Sequence, residues 1–92
     1  VLLYGDTVHQ LSVRSLNDLN ELALAPLFQS KPPAEVLLVG AGSSHGLLTQ
    51  ELNKLLFRFG IGVDVMNTGA ACRTFNVLAL EDRRVAAALL PT

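Results

Sequence analysis

The sequence predicts an α/β domain with a β-α-β-α-β core, in which a parallel or mixed sheet is flanked by helices. Three observations carry this prediction: short apolar runs typical of buried strands, apolar residues at helical spacing between them, and glycine or proline at the boundaries. Because the connections are short, right-handed crossovers would make the core strands parallel. We expect residues 1–92 to form one such domain that lacks its first strand or strands, since Val1 already lies in strand-like sequence.

The N-terminal part of the chain favours a β-ribbon followed by a short helix. Residues 1–13 (VLLYGDTVHQLSV) are rich in strand-forming side chains, and the Gly-Asp pair at 5–6 marks a turn or bulge. The ribbon is expected to add an antiparallel pair or an edge strand to the sheet. A helix capped by Asn17 or Asp18 is expected to run through Leu24 and to be limited by the proline that follows.

The rest of the chain carries the regular pattern of the core. The expected elements are a strand at 35–40, a helix at 48–59, a strand at 62–66, a helix at about 70–80 and a last strand at 85–90. The first and last strands are continuous apolar runs, which suit burial on both faces. Gly60 is placed to end the first helix, Thr68 to cap the second, and Pro91 to end the last strand.

Composition and charge limit the function classes open to the chain. The formal net charge is −1, and the basic residues are scattered, so direct nucleic-acid binding is disfavoured. No apolar run approaches the roughly 20 residues that cross a bilayer. The single cysteine, Cys72, cannot form an internal disulfide and fits a reducing compartment such as the cytosol or the mitochondrial matrix.

The loop after the first core strand, residues 40–46 (GAGSSHG), begins as a dinucleotide-binding turn does. Gly40 and Gly42 fit the G-x-G-x-x-G pattern, but His45 stands where the third glycine allows helix and strand to pack closely. Asp64 lies at a suitable distance for a ribose contact, but in the middle of a strand. A bound dinucleotide is therefore not expected, and the glycines fit an ordinary strand-to-helix turn capped by one of the two loop serines.

Two loops are expected to line one crevice beyond the carboxyl ends of the strands, where ligands bind to open parallel sheets. These loops are residues 40–46 and 67–73, and each leads into a helix N-terminus that favours an anion. The candidate binding residues of this crevice are Gly40, Gly42, Ser43, Ser44, His45, Asn67, Thr68, Cys72, Arg73 and Thr74. The sequence offers no complete catalytic constellation and no metal-ligand spacing, so we assign no catalytic residue, metal or cofactor.

Two side chains of the second loop allow more than one interpretation. Cys72 is expected in the first helical turn beside Arg73, where its thiol could pair with His45 as a nucleophile. Packing as a small, half-buried residue is the more common role of a free cysteine. Arg73 could hold an anion in the crevice, or it could pair with Glu81 or Asp82.

Residues 60–91 (GIGVDVMNTGAACRTFNVLALEDRRVAAALLP) resemble the C-terminal signature of a small α/β family of formerly unknown function. The family pattern is V-x-V-M-[D/S]-T, A-A-x-R-T-[Y/F]-N-V-L and E-G-R-R-V-A-A-A-L, which residues 63–68, 70–78 and 81–89 match. The family's G-[T/A]-G is present at residues 40–42. Its members include the mitochondrial NADH dehydrogenase (complex I) assembly factor three and the adipogenesis-associated protein.

Two residues depart from the family pattern. Asn67 stands where the family usually has an acidic residue or serine, and Asp82 replaces the glycine of E-G-R. The first departure removes an acid from the predicted crevice. The second changes a turn.

The resemblance implies a mixed sheet with helices and an N-terminal ribbon, with no established enzymatic activity or cofactor. It also implies a chaperone-like role, with partner assembly factors, in building the respiratory NADH dehydrogenase. We therefore expect a non-catalytic protein-binding module of a large mitochondrial-matrix assembly, either respiratory complex I or the mitochondrial ribosome. The alternative is a small-molecule- or anion-binding domain or enzyme that uses the crevice between residues 40–46 and 67–73, with a cytoplasmic location as the alternative compartment.

Overall fold

A five-stranded mixed sheet organises the computed structural model, which describes residues 1–44 and 46–91. In chain order the elements are β1 (Leu2–Tyr4), β2 (Thr7–His9), a 3-10 turn (Leu16–Asp18), α1 (Ala25–Gln29), β3 (Val36–Gly40), α2 (Gln50–Arg58), β4 (Gly62–Met66), α3 (Thr68–Leu80) and β5 (Val85–Leu89). The spatial order of the strands is β2-β1-β5-β3-β4. The predicted α/β class and its β-α-β-α-β core are confirmed.

The three core strands are parallel, and the N-terminal ribbon joins them antiparallel. β3 pairs with β5 on one side and β4 on the other, so that Leu38 stands opposite both Ala87 and Asp64. β1 pairs antiparallel with the far side of β5, and β2 folds back on β1 through the turn at residues 5–6. The predicted ribbon is thus one border of the sheet, and β4 is the other.

Helices cover both faces of the sheet. On one face, Phe75 and Leu78 of α3 pack on a small buried cluster formed by Leu38, Val85 and Ala87. On the other face, α2, α1 and the 3-10 turn enclose the larger core. The largest fully buried side chains are Leu2, Leu19, Leu24, Leu27, Leu37, Leu38, Leu56 and Val39. Within the described residues, no helix has the length and hydropathy needed to span a bilayer.

The N-terminal helix differs from the sequence prediction. Residues 16–18 form only a 3-10 turn, and the α-helix begins after Leu24 instead of ending there. Pro26 lies in the first turn of α1, where its missing N–H removes no helical hydrogen bond and its fixed φ suits the helix. The prediction was wrong because a proline at this position can start a helix as well as stop one.

Candidate functional site

The two loops predicted to share a crevice lie side by side at the carboxyl edge of β3 and β4. The Ala41 N–H donates to the Met66 carbonyl oxygen at 2.8 Å, and the Gly42 N–H donates to Thr68 Oγ1 at 3.0 Å. The loops are therefore hydrogen-bonded to each other. The Gly42 amide, which the dinucleotide pattern would direct at a phosphate, is already used within the chain.

The end of the described chain occupies the space beside Gly42. A Cβ built on Gly42 would overlap the Pro91 carbonyl oxygen and would lie 2.8 Å from the Leu90 carbonyl oxygen. The Leu90 N–H donates to the Gly40 carbonyl oxygen at 2.9 Å, and the Ser43 N–H donates to the Pro91 carbonyl oxygen at 3.3 Å. Gly42 thus admits a segment of backbone at the point where the nucleotide-binding pattern admits a pyrophosphate.

Gly40 allows a second close approach at the same edge. A Cβ at this position would lie 2.9 Å from Leu89 Cδ2 and 3.1 Å from the Thr68 Cα. The start of α3 therefore packs directly on the end of β3. This contact explains the first glycine of the motif without a ligand.

The two serines of the glycine loop do not cap α2, so this prediction was wrong. The N-cap is Thr49, whose Oγ1 accepts a hydrogen bond from the Leu52 N–H at 3.1 Å. Ser44 Oγ instead accepts from the Leu16 N–H at 3.0 Å and ties the loop to the 3-10 turn. A cap must directly precede its helix, and the loop continues past Ser44 before α2 begins at Gln50.

Asn67, and not Thr68, caps α3. Its Oδ1 accepts a hydrogen bond from the Ala70 N–H at 2.8 Å, and the helix begins at Thr68. The acid or serine usual in the family pattern is, like asparagine, a strong N-cap residue, so the departure at this position keeps the cap. Because Asn67 caps the helix, the Thr68 hydroxyl is left to bind Gly42.

The α3 candidates differ in exposure and direction. Thr74 Oγ1 lies 3.7 Å from Met66 Sδ and so faces β4, while Arg73 is exposed. Cys72 is half-buried and, because α3 starts at Thr68, it lies in the second turn and not in the first as predicted.

Two predicted pairings of these side chains have different outcomes. In the described part of the chain, the one salt bridge joins Arg83 to Glu35, so Arg73 pairs with neither of its predicted acidic partners. His45 lies outside the described residues, and its pairing with Cys72 stays a prediction. The assignment of the crevice residues to a binding site likewise stays a prediction.

A polar cluster that the sequence analysis missed lies at the opposite end of the sheet. Glu35 Oε1 accepts from the Arg84 N–H at 3.1 Å, and Oε2 lies 3.5 Å from Arg83 Nε. The pKa of the Glu35 carboxyl group is lowered, most strongly by the hydrogen bond from the Arg84 N–H. Arg84 Nε also donates to the Pro33 carbonyl oxygen at 2.8 Å, so the cluster ties the start of β3 to the start of β5.

Two cavities lie away from the glycine loop. One, of about 520 Å³, lies between α2 and residues 17–22. The other, of about 430 Å³, lies between the β1–β2 turn and the C-terminal end of α3. Among the residues that the structure describes, none of the predicted crevice residues lines either of them. Among the described residues, no group of three or more His, Cys, Asp and Glu side chains is placed to hold a metal ion.

Comparison with known proteins gives the same fold and a family. The chain is 39% identical over 82 residues to the NADH dehydrogenase (ubiquinone) 1 alpha subcomplex assembly factor 3 of Danio rerio, with 89% of this chain and 47% of that protein covered. The Mus musculus protein of the same name is 34% identical over 90 residues, with 98% of this chain and 49% of that protein covered. The chain thus spans about half the length of these curated relatives.

A solved structure supports this relationship over nearly the whole chain. The crystal structure of a Bordetella parapertussis protein superposes with a TM-score of 0.82 at 36% identity, covering 99% of this chain and 77% of that chain. The model of the family described as "Protein of unknown function (DUF498/DUF598)" matches residues 1–90. The chain therefore belongs to the DUF498/DUF598 family, in agreement with the signature in residues 60–91.

Proposed function

We propose that this chain is a non-catalytic protein-binding module that acts in the assembly of the respiratory NADH dehydrogenase (complex I) in the mitochondrial matrix. The observation that carries the proposal is the similarity to assembly factors of that enzyme, at 31% to 39% identity over most of this chain. Since the chain spans about half of those relatives, it would supply one folded module of such a factor.

The geometry of the glycine loop counts against phosphate binding at Gly42, which the alternative function would use. A phosphate site needs free N–H groups and room for the ligand beside the backbone. Here Thr68 accepts the Gly42 N–H, and the chain from Leu90 to Pro91 fills the adjoining space. The features that suggested a nucleotide are thus engaged in holding the domain together.

The proposal rests on the relatives and not on the exposed surface. Several large apolar side chains are largely exposed on separate elements, among them Leu22, Phe57 and Leu80. Single exposed apolar side chains are common on folded proteins, so they do not by themselves favour one function. Of the two assemblies that the sequence left open, we propose the respiratory one, because the relatives reported above carry the name of its assembly factor and neither name refers to a ribosome.

Depletion of the full protein from the cells that make it, followed by rescue, tests the proposal. We expect depletion to lower the amount of assembled complex I on native gels and its NADH:ubiquinone reductase activity, while the sedimentation profile of mitochondrial ribosomes stays unchanged. The Cys72→Ser variant should restore complex I as well as the wild type does, because the thiol has no catalytic part in a binding module.

Four outcomes would contradict the proposal. Complex I could assemble normally without the protein, or the ribosome profile could change first. A folded Cys72→Ser protein that failed to rescue would instead indicate thiol chemistry. A thermal-shift screen with nucleotides, phosphate and carboxylates should give no stabilisation, and a shift that disappears in Arg73→Ala would favour the ligand-binding alternative.

A further inference from the structure

β4 borders the sheet, and its backbone bonds to β3 through alternate residues. At one end of the strand the Gly62 N–H donates to the Glu35 carbonyl oxygen at 2.9 Å. At the other end the Met66 carbonyl oxygen accepts from the Ala41 N–H at 2.8 Å. The parallel register between these two bonds assigns the even-numbered residues of β4 to the ladder with β3.

The odd-numbered residues of β4 therefore direct their backbone groups away from the sheet. These are Val63 and Val65, each with one N–H and one C=O on the outer side of β4. Among the described residues, no strand pairs with this side. Such a row of unpaired donors and acceptors is a template for one more strand.

Exposed apolar side chains flank the outer edge on the face covered by α3. The contact between Thr74 and Met66 identifies the side of α3 that faces β4. Val77 follows Thr74 by one helical turn on that side and is 54% exposed. An added strand would therefore meet an apolar side chain of α3.

Exposed apolar side chains also flank the outer edge of β4 on the face covered by α2. Val65 itself is 42% exposed on this face. α2 buries Leu52 and Leu56 against the sheet and directs Leu55 into the cavity shared with residues 17–22. Helical geometry then places Phe57, which is 87% exposed, on the opposite flank, toward β4.

Asp64 determines which strand suits this edge. It is exposed at the centre of β4, and the salt bridge in the described part of the chain does not involve it. Directly opposite residues of paired strands attract when their charges are opposite and repel when they are alike. An antiparallel pair of two β4 strands in full overlap would oppose one Asp64 to another. A partner strand with lysine or arginine at that position would gain an ion pair.

We infer that the outer edge of β4 docks an extended segment of a partner protein, with a basic residue opposite Asp64 and apolar residues toward Val65. The inference rests on the proposed function as a protein-binding module and identifies the surface that such a module would use. The backbone groups of Val63 and Val65 would supply the hydrogen bonds, and Asp64 would select the partner's sequence.

Two proline variants separate this edge from the other border of the sheet. Val65→Pro removes an outward N–H and leaves the ladder with β3 intact. Val8→Pro is the matched control on β2. Leu3, which lies opposite Val8, directs its backbone groups toward β5, so the Val8 N–H also points outward. Circular dichroism is the check that each variant is folded.

The binding probe is a pair of synthetic peptides, Thr-Val-Thr-Val-Lys-Val-Thr-Val-Thr and the same peptide with glutamate in place of lysine. We expect the lysine peptide to bind the wild-type chain at least tenfold more tightly than the glutamate peptide, with NMR shifts at the Val63 and Val65 amides. Val65→Pro should abolish binding, Val8→Pro should leave it unchanged, and Asp64→Lys should reverse the preference.

Several results would overturn the inference. The first is the absence of NMR shifts at the Val63 and Val65 amides at millimolar peptide. The second is an equal loss of peptide binding in Val65→Pro and Val8→Pro. The third is an Asp64→Lys variant that still prefers the lysine peptide. Self-association of the wild type that Val65→Pro removes would identify a second copy as the occupant. In the depletion experiment, rescue of complex I by Val65→Pro as fully as by the wild type refutes the docking edge alone. Normal complex I without the protein refutes the proposed function instead.

Discussion

Substitution of Gly42 by alanine tests the contact between the glycine loop and the end of the described chain. Gly42 has a φ of 60°, and a Cβ at this position would overlap the Pro91 carbonyl oxygen. Two costs follow from the change. The new residue must adopt the left-handed conformation, and the segment at Leu90 and Pro91 must move away. That movement would strain or break the bond between the Leu90 N–H and the Gly40 carbonyl oxygen.

Gly60→Ala separates these two costs. Gly60 has a φ of 72°, similar to that of Gly42, but a Cβ there would meet no atom within 4 Å. We expect Gly60→Ala to lower the free energy of unfolding by about 1–2 kcal/mol, the cost of the left-handed conformation alone. Gly42→Ala adds a steric term of about 1–3 kcal/mol, as for overpacking in a core, and should lower it by about 2–5 kcal/mol in total.

Urea unfolding followed by circular dichroism measures both variants, and hydrogen exchange at the Leu90 amide reports the contact itself. We expect the Leu90 amide to exchange faster in Gly42→Ala than in Gly60→Ala. Equal losses of stability in the two variants, with unchanged exchange at Leu90, would refute the close packing of Pro91 on Gly42.

Three further predictions concern single side chains. Asp82 has a φ of 59° where the family pattern has glycine, so Asp82→Gly should raise the free energy of unfolding by up to about 1 kcal/mol; a lower thermal midpoint would contradict this. Asn67→Ala should lower the free energy of unfolding by about 1 kcal/mol, because the α3 cap is lost. Asn67→Asp keeps a capping side chain and should change the free energy of unfolding by only about a few tenths of a kcal/mol. Equal effects of the two substitutions in urea unfolding would exclude a capping role. The lowered pKa of Glu35 means that its charged form stabilises the fold at pH values above the ordinary glutamate pKa of about 4.3, and that this contribution is lost as the pH falls through the lower pKa of the folded state. Thermal melts from pH 7 to pH 3 should therefore show wild type and Glu35→Gln converging at the acid end, and a constant gap across that range would contradict the assignment.

The core could be predicted from the sequence because its signals are local. The apolar run before Gly40, the helical spacing up to Gly60 and the alanine-rich run before Pro91 each identify an element within a few neighbouring residues. Burial on both faces of the central strands reinforces those signals. The family signature in residues 60–91 then identified the fold's relatives.

The features that were missed depend on residues distant in the chain. Gly42 looked like part of a nucleotide site because its actual neighbour, Pro91, lies at the other end of the described chain. Glu35 and Arg84 are also far apart in the sequence, although the Arg84 N–H donates a hydrogen bond to the Glu35 carboxylate. The helix near Pro26 was predicted to end before this proline, whereas α1 begins there, because proline is compatible with both the end and the first turn of a helix. Leu27 of α1 is buried in the core, and this packing favours the helix that is observed.

The place of β5 in the sheet has a consequence for synthesis of the protein. β5 is made after the other four strands, yet it lies between β1 and β3. Until residues 85–89 leave the ribosome, the N-terminal hairpin and the β3–β4 pair have no strand that joins them, and the edges of β1 and β3 that later pair with β5 keep free backbone N–H and C=O groups. An isolated two-stranded hairpin is marginally stable in water, so we expect the two pieces to form a stable sheet only when β5 joins them. Formation of the complete sheet therefore waits for the strand that is made last.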